Sequence, residues 1–237
     1  MEDIIQKIND LDWPAITEAM HTHGYVIIPK ILTDSQCELL KDGYGDSTRY
    51  RKTVNMARHR FGLGEYKYFN YPLPAFIQTV RSELYPYLTI IANAWFRALG
   101  IKLSFPPKHE DFLAHCRKYD QEHATVLILK YAEGGFNTLH QDLYGEVYFP
   151  MQVVLMLDEP ELDFTGGEFV ITQQIPRAQS KAIVLKPKKG ELILFATNFR
   201  PEKGRIGYFR VNMKHGVSEV TSGERHALGI IFHDAEK

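Results

Sequence analysis

The spacing of apolar residues changes character midway along this chain. Near the start, Ile4, Ile5 and Ile8 fall on one face of a helix, and a second helical stretch follows over residues 15–21. Gly24 is placed to end it, since glycine takes the left-handed conformation that closes helices. Tyr25-Val26-Ile27-Ile28 is a short β-rich run stopped by Pro29, and Thr33-x-x-Gln36 matches a capping box opening a helix through Leu40. Leu84, Leu88, Ile91, Trp95 and Leu99 recur at three- and four-residue intervals, which predicts a long helix over 75–99 with this stripe turned inward and Pro86 as a candidate break. The first hundred residues thus read as helices with one inserted strand.

From Thr125 the period drops to two and the apolar runs shorten. Strands are predicted over 125–131, 137–143, 152–157, 168–172, 182–185, 191–196, 210–215 and 225–232. Gly134-Gly135, Gly166-Gly167, Lys189-Gly190 and Ser222-Gly223 supply turns between them. Eight short strands in this half fit a mainly β fold, the double-stranded β-helix or jelly roll. The expected organisation is one structural unit in which residues 1–120 form an N-terminal α-helical support layer and residues 121–237 form the β-helix core.

Composition narrows the setting. A chain of 237 residues can bury a core without disulfide staples, and Cys37 and Cys116 match no metal-binding or redox spacing, so both are read as free thiols packed in a reducing cytoplasm. The formal net charge of −1 excludes a chain-wide basic signature, so nucleic-acid binding would require a local patch. Residues 1–12 are acidic and amphipathic, without the basic start and apolar run of a secretory signal. Pro86, Asn93 and Arg97 interrupt the most apolar stretch, which argues against a bilayer span. A cytoplasmic protein with no membrane partner is expected.

The chemistry concentrates in the strand-rich half. His140-Gln141-Asp142 sits at the mouth of a predicted strand, whose alternation sends His140 and Asp142 to one face and Gln141 to the other. His215 ends the seventh predicted strand, which an antiparallel jelly roll can return beside the first pair. Two histidines and a carboxylate form the facial set that holds non-haem Fe(II) and leaves positions for a co-substrate and O2. His226 and His233 are rivals for the distal place. His226 adjoins Arg225 and points the opposite way, and His233 lies past the last strand, so both are read as structural.

Arg225 follows His215 by ten residues, and a buried guanidinium there needs an anion. A dicarboxylate serves: one carboxylate and the keto oxygen of 2-oxoglutarate chelate iron, while the far carboxylate takes a forked pair of hydrogen bonds. Tyr131 is placed to direct its hydroxyl into the same pocket. Lys130 should face outward, and Asn137 is a weaker candidate for orienting a ligand. Rival readings are a zinc hydrolase on the same three ligands, which Arg225 disfavours, and a non-catalytic cupin-like sensor of a metal or small acid.

These residues carry a family resemblance. Tyr131, Gly134 and Leu139-His140-Gln141-Asp142 resemble the corresponding stretch of the AlkB-type nucleic-acid demethylases. The longer set is similar to a bacterial family of 2-oxoglutarate and Fe(II)-dependent oxygenases expected to oxidise damaged or modified nucleic acid. It comprises His140 through Glu146, Phe149-Pro150, Asp163 through Phe169, Pro176-Arg177, Arg200-Pro201, His215 through Ser218 and Gly229 through Ala235. The resemblance implies a double-stranded β-helix, iron on His140, Asp142 and His215, and Arg225 gripping 2-oxoglutarate. It implies oxidative decarboxylation of 2-oxoglutarate to succinate, coupled to hydroxylation or oxidative demethylation. Leu129 stands where the AlkB type carries an asparagine, and Arg225 stands alone where that group has paired arginines. The glycine pair before Glu168 is also similar to prolyl hydroxylases, so a protein substrate stays open beside nucleic acid.

Two segments bear on the substrate. Arg200, Lys203, Arg205, Arg210 and Lys214 face the single acid Glu202 in the run leading to His215, a patch able to hold phosphates or a solvated basic loop. Tyr66, Tyr68, Phe69 and Tyr71, with Arg58, Arg60 and Lys67 nearby, could stack an extruded base, or pack helices on the barrel.

Overall fold

The computed structural model describes residues 2–236. Its helices are α1 (Glu2–Asn9), α2 (Trp13–His23), α3 (Asp34–Asp42), α4 (Ala75–Ala98) and α5 (His109–Arg117). The predicted local signals act as expected. Ile4 and Ile8 are the buried face of α1, and Gly24 closes α2 at φ +75°. The capping box of α3 is complete: Thr33 accepts from the Gln36 N–H, and the Gln36 side chain accepts from the Thr33 N–H at 2.9 Å. Pro86 does not break α4. Buried Ile77, Val80, Leu84, Leu88, Ile91, Trp95 and Phe96 lie along it, and at about 1.5–3 kcal/mol for each large apolar side chain their burial outweighs the ~3 kcal/mol of an internal proline.

The strands of the first half are β1 (Tyr25–Ile28), β2 (Tyr50–Asn55), β3 (Gly62–Leu63) and β4 (Glu65–Phe69). They are followed by β5 (Leu127–Ala132), β6 (Phe136–His140), β7 (Met151–Met156), β8 (Phe164–Gly166) and β9 (Phe169–Gln174). The last are β10 (Lys181–Leu185), β11 (Leu192–Ala196), β12 (Phe199–Lys203), β13 (Tyr208–Val217) and β14 (Val220–Ile231). One antiparallel sheet runs β1-β11-β7-β14-β5-β4-β2 with β8 beside β14, and the other runs β10-β9-β13-β6-β3 with β12 beside β13. This is the mainly β, jelly-roll type of architecture.

The larger sheet is apolar on both faces, for different reasons. Leu228, Ile230, Ile128, Val153 and Leu155 share a core with Leu84, Leu88 and Ile91 of α4. The alternate residues Ala227, Gly229, Leu127, Val154 and Gln152 line a cavity instead.

Several expectations are corrected. The first hundred residues contain four strands, not one, because β2 and β4 are too polar to announce themselves; β2 is a sheet edge with one partner and one solvated side. Pro201 hid β12, which tolerates a proline because it pairs with β13 alone. Ser222-Gly223 is no turn but an irregularity inside β14, which begins at Val220, five residues earlier than predicted. Cys37 and Cys116 are free and buried, as read.

Candidate metal centre

β6 ends at His140, and β13 brings His215 directly opposite, with the two imidazole centroids 4.2 Å apart. Asp142 lies past the end of β6 and not within a strand as predicted, yet its carboxylate turns back to the same point. Asp142 Oδ1 is 3.6 Å from His140 Nε2, and Oδ2 is 3.3 Å from His215 Nε2. One potential donor atom from each residue falls within 4.8 Å of the others, and among the described residues this is the group able to hold a metal ion. His140 Nδ1 sits 2.7 Å from the Thr138 carbonyl, which fixes the proton there and leaves the Nε2 lone pair facing the cluster.

Two neighbours escaped sequence reasoning. Tyr144 Oη donates to Asp142 Oδ1 at 2.7 Å, and Gln152 Nε2 donates to Oδ2 at 2.8 Å while lying 3.1 Å from His215 Nε2. A signal existed for Gln152: it is the polar residue in an otherwise apolar, fully buried strand, and a buried amide needs partners. Burial alone would raise the Asp142 pKa. The hydrogen bond and charge of His215, the charge of His140 and the Gln152 amide outweigh it and hold the carboxyl well below its usual range. Burial, reinforced by His140, pushes His215 down. A carboxyl that favours its ionised form and an imidazole that resists protonation both suit a divalent cation in place of a proton.

The cavity runs from this cluster to Arg225, which faces Tyr131 across β14 and β5. Arg225 is 1% exposed, its Nε and Nη2 meet no protein acceptor, and among the described residues no carboxylate pairs with it. Beneath it lie the rings of Tyr131 at 5.5 Å and Phe164 at 5.9 Å. Gly167, at φ +60°, lets the backbone close on the arginine: a Cβ there would stand 2.8 Å from Arg225 Cδ. Tyr131 Oη accepts from Asn137 Nδ2 at 3.3 Å, and burial pushes the phenol up to about 12, so its proton stays available to donate. Asn137 thus touches the site more directly than strand parity suggested.

The remaining expectations sort cleanly. Lys130 pairs outward with Glu224. His226 Nδ1 lies 2.9 Å from Asp158, and His233 Nδ1 accepts from the Phe149 N–H at 3.1 Å, so neither reaches the cluster. Gln141 donates away from it, to Asn198 and the Met213 carbonyl. Of the four aromatics expected to stack a base, only Tyr66 lines the cavity. Tyr68 is buried against it, Phe69 belongs to the main core, and Tyr71 Oη is bonded to Asp234 and Arg81. Phe61, 45% exposed, joins Tyr66 at the cavity instead.

Solved structures share this arrangement of sheets. A prolyl-4-hydroxylase of Pseudomonas putida aligns with a TM-score of 0.55 at 14% identity, covering 95% of this chain and 100% of its own. A 2OG-Fe(II) oxygenase family oxidoreductase of Burkholderia pseudomallei gives 0.55 at 15%, covering 97% and 95%. At such identity the likeness concerns the fold. That fold is shared with a protein described as a 2OG-Fe(II) oxygenase, and here it gathers two histidines and a carboxylate in one cavity with a buried arginine. The particular family follows from sequence: the model described as "Oxygenase, catalysing oxidative methylation of damaged DNA" matches residues 64–235, and the chain belongs to that family. An uncharacterized protein of Mycobacterium tuberculosis is 44% identical over 167 residues, 70% of this chain and 72% of that protein. Among the described residues, no helix is long and apolar enough to cross a membrane.

Proposed function

We propose that this chain oxidises modified or damaged bases in DNA, with His140, Asp142 and His215 holding Fe(II) and with Arg225 and Tyr131 holding 2-oxoglutarate. The observation that carries the reading is Arg225. A guanidinium this buried, with two nitrogens lacking protein acceptors, calls for an anion, and the cavity it faces opens onto the three potential donors. A dicarboxylate with a keto group reaches from one to the other. Residues 121–237 carry all five side chains, and we read residues 1–120 as their support.

The parts played by the chain's own residues follow from their contacts. Arg225 binds the far carboxylate in a fork, and the Tyr131 hydroxyl donates to it. Tyr144 and Gln152 fix the Asp142 carboxylate between them, so that its orientation is set before a metal arrives. Leu127, Leu129, Val154 and Phe169 keep the chamber apolar and exclude water. When bound, Fe(II) with 2-oxoglutarate and O2 supplies the oxidation, which at an N-methyl group ends in formaldehyde and the freed amine. The base reading draws on the family description and on Phe61 and Tyr66, half-open aromatics where a planar group could stack.

The test has two arms. Anaerobic titration with Fe(II) and 2-oxoglutarate should develop a visible charge-transfer band that Arg225→Ala loses while metal binding persists. Aerobic incubation with methylated oligonucleotides, and separately with a peptide pool, should give loss of methyl or gain of one oxygen in the oligonucleotides. Products confined to the peptides would transfer the reading to a protein hydroxylase. Intact metal binding without succinate from any substrate would favour a sensor.

A further inference from the structure

β13 runs antiparallel to β6 with His215 opposite His140. The residues preceding His215 therefore extend past the end of β6, in the direction the chain takes toward Asp142. β9 accompanies β13 only as far as Asn212, and from Tyr208 to Val211 the sole ladder partner is β12. This two-stranded ribbon starts packed against α2 and α4 and continues past the end of β9 to an open turn. At its turn Ile206 is fully exposed, at 102% of its reference area, and Tyr208 is 51% exposed.

The ribbon's charge is one-sided. Arg200 is buried and consumes the only acid of residues 199–214, Glu202, at 2.6 Å. Lys203, Arg205, Arg210 and Lys214 form no ion pair among the described residues, although the whole chain is near neutral. Arg210 and Lys214 share the exposed face of β13, alternating with buried Val211 and Met213, and the Arg210 guanidinium is braced over the Phe199 ring at 4.7 Å. Four unneutralised cations spread along the ribbon, with a fully exposed isoleucine at its turn, match a polyanion that also offers apolar layers to enter. Duplex nucleic acid has both: phosphates along its backbone and stacked bases that an aliphatic wedge can part. A two-stranded β-ribbon also fits a groove of the duplex.

Resting on the nucleic-acid reading above, we propose that the β12–β13 hairpin is a docking arm for duplex nucleic acid, its cations on phosphates and Ile206 inserted between base steps in the flank on one side of the reacting base. From Ile206 to His215 is nine residues, at most about 30 Å at ~3.3 Å each, so the arm reaches no further than roughly nine base pairs on one side of the target.

The test uses the full chain and labelled duplexes carrying one methylated base, with long or trimmed flanks, read by fluorescence anisotropy across a salt series. Lys203→Ala/Arg205→Ala/Arg210→Ala should flatten the slope of log affinity against log salt by about 2–3, at ~0.9 for each phosphate no longer neutralised. Ile206→Ser should weaken binding by roughly tenfold with the slope unchanged. Removing that flank altogether should make wild type and variants alike. Unchanged melting temperature and 2-oxoglutarate binding control for folding. If wild type binds duplex and both variants match it in affinity and slope, the arm is overturned and the nucleic-acid reading stands. If wild type binds no nucleic acid, that reading falls and the arm with it. Arm-dependent binding of an acidic peptide without duplex binding would also overturn the proposal.

Discussion

Replacing Arg225 with methionine separates a binding arginine from a structural one, because the two roles predict opposite changes in the ligand-free protein. Arg225 Nε and Nη2 are buried without protein acceptors, and each such donor costs about 1–3 kcal/mol. Methionine keeps an unbranched chain of similar reach and removes both. Against that gain stands the loss of the cation over the Tyr131 and Phe164 rings, about 0.5–2 kcal/mol. The net is a stabilisation of about 2 kcal/mol, or roughly 4–8 °C in Tm for a chain of this size. With 2-oxoglutarate the order reverses. Two charged hydrogen bonds at about 1.5–3 kcal/mol each are gone, so the co-substrate Kd should rise on the order of 100- to 10,000-fold. Scanning calorimetry with and without 2-oxoglutarate, Co(II) standing in for Fe(II), reads both effects. A variant that melts below wild type without ligand, yet keeps its ligand-induced shift, would refute the reasoning and make Arg225 a part of the scaffold.

Gln152→Leu removes a donor to Asp142 and should lower Co(II) affinity by about 10- to 100-fold in an anaerobic titration; unaltered affinity would show that Tyr144 suffices to orient the carboxylate. Arg81 is fully buried, 2.8 Å from Asp234, so Arg81→Met strands a buried carboxylate and should cost about 3–5 kcal/mol in urea unfolding, most of it recovered by adding Asp234→Asn. Equal losses in single and double variants would contradict this. Burial, reinforced by the Arg81 charge, pushes His109 and His233 down to about 3 from an ordinary 6.5. Both folded pKa values lie below the unfolded one, so their stabilisation is whole above pH 6.5 and shrinks as pH falls toward 3, by up to about 1.4 kcal/mol per unit for each. Tm should therefore decline from pH 6.5 to 4.5 and decline less in His233→Gln; a flat wild-type profile would oppose it.

What the sequence discloses here follows how local each signal is. Thr33 with Gln36, Gly24 and the Leu84-to-Trp95 stripe encode their structures within a few residues, and the helices they mark stand where expected, whereas α5 was not foreseen. His140, Asp142 and His215 are brought together because two ends of antiparallel strands meet, a relation that strand order alone anticipates. Gln152 depends on how β7 lies against the loop after β6, and Tyr144 on the conformation of that loop, neither of which the strand period reveals. β2 and β4 were hidden because Lys52, Thr53, Glu65 and Lys67 interrupt the apolar alternation. Tyr66, Tyr68, Phe69 and Tyr71 look equivalent in sequence, and only strand parity and the tie of Tyr71 to Arg81 assign them to chamber, wall or core.

Ala227 and Gly229 occupy the one stretch of the larger sheet where the interior is left open. Their neighbours across the ladder are Leu129, Leu127 and Val154, so side chains of similar size at both would meet in the middle and close the space. A Cβ on Gly229 would already stand 3.0 Å from Leu127. Enlarging these two positions would turn open volume into packing without touching His140, Asp142 or His215. Such a variant could be more stable and wholly inert, which makes the smallness of residues 227 and 229 a handle for tuning what the chamber admits, methylene by methylene, while the surrounding scaffold is left as it is.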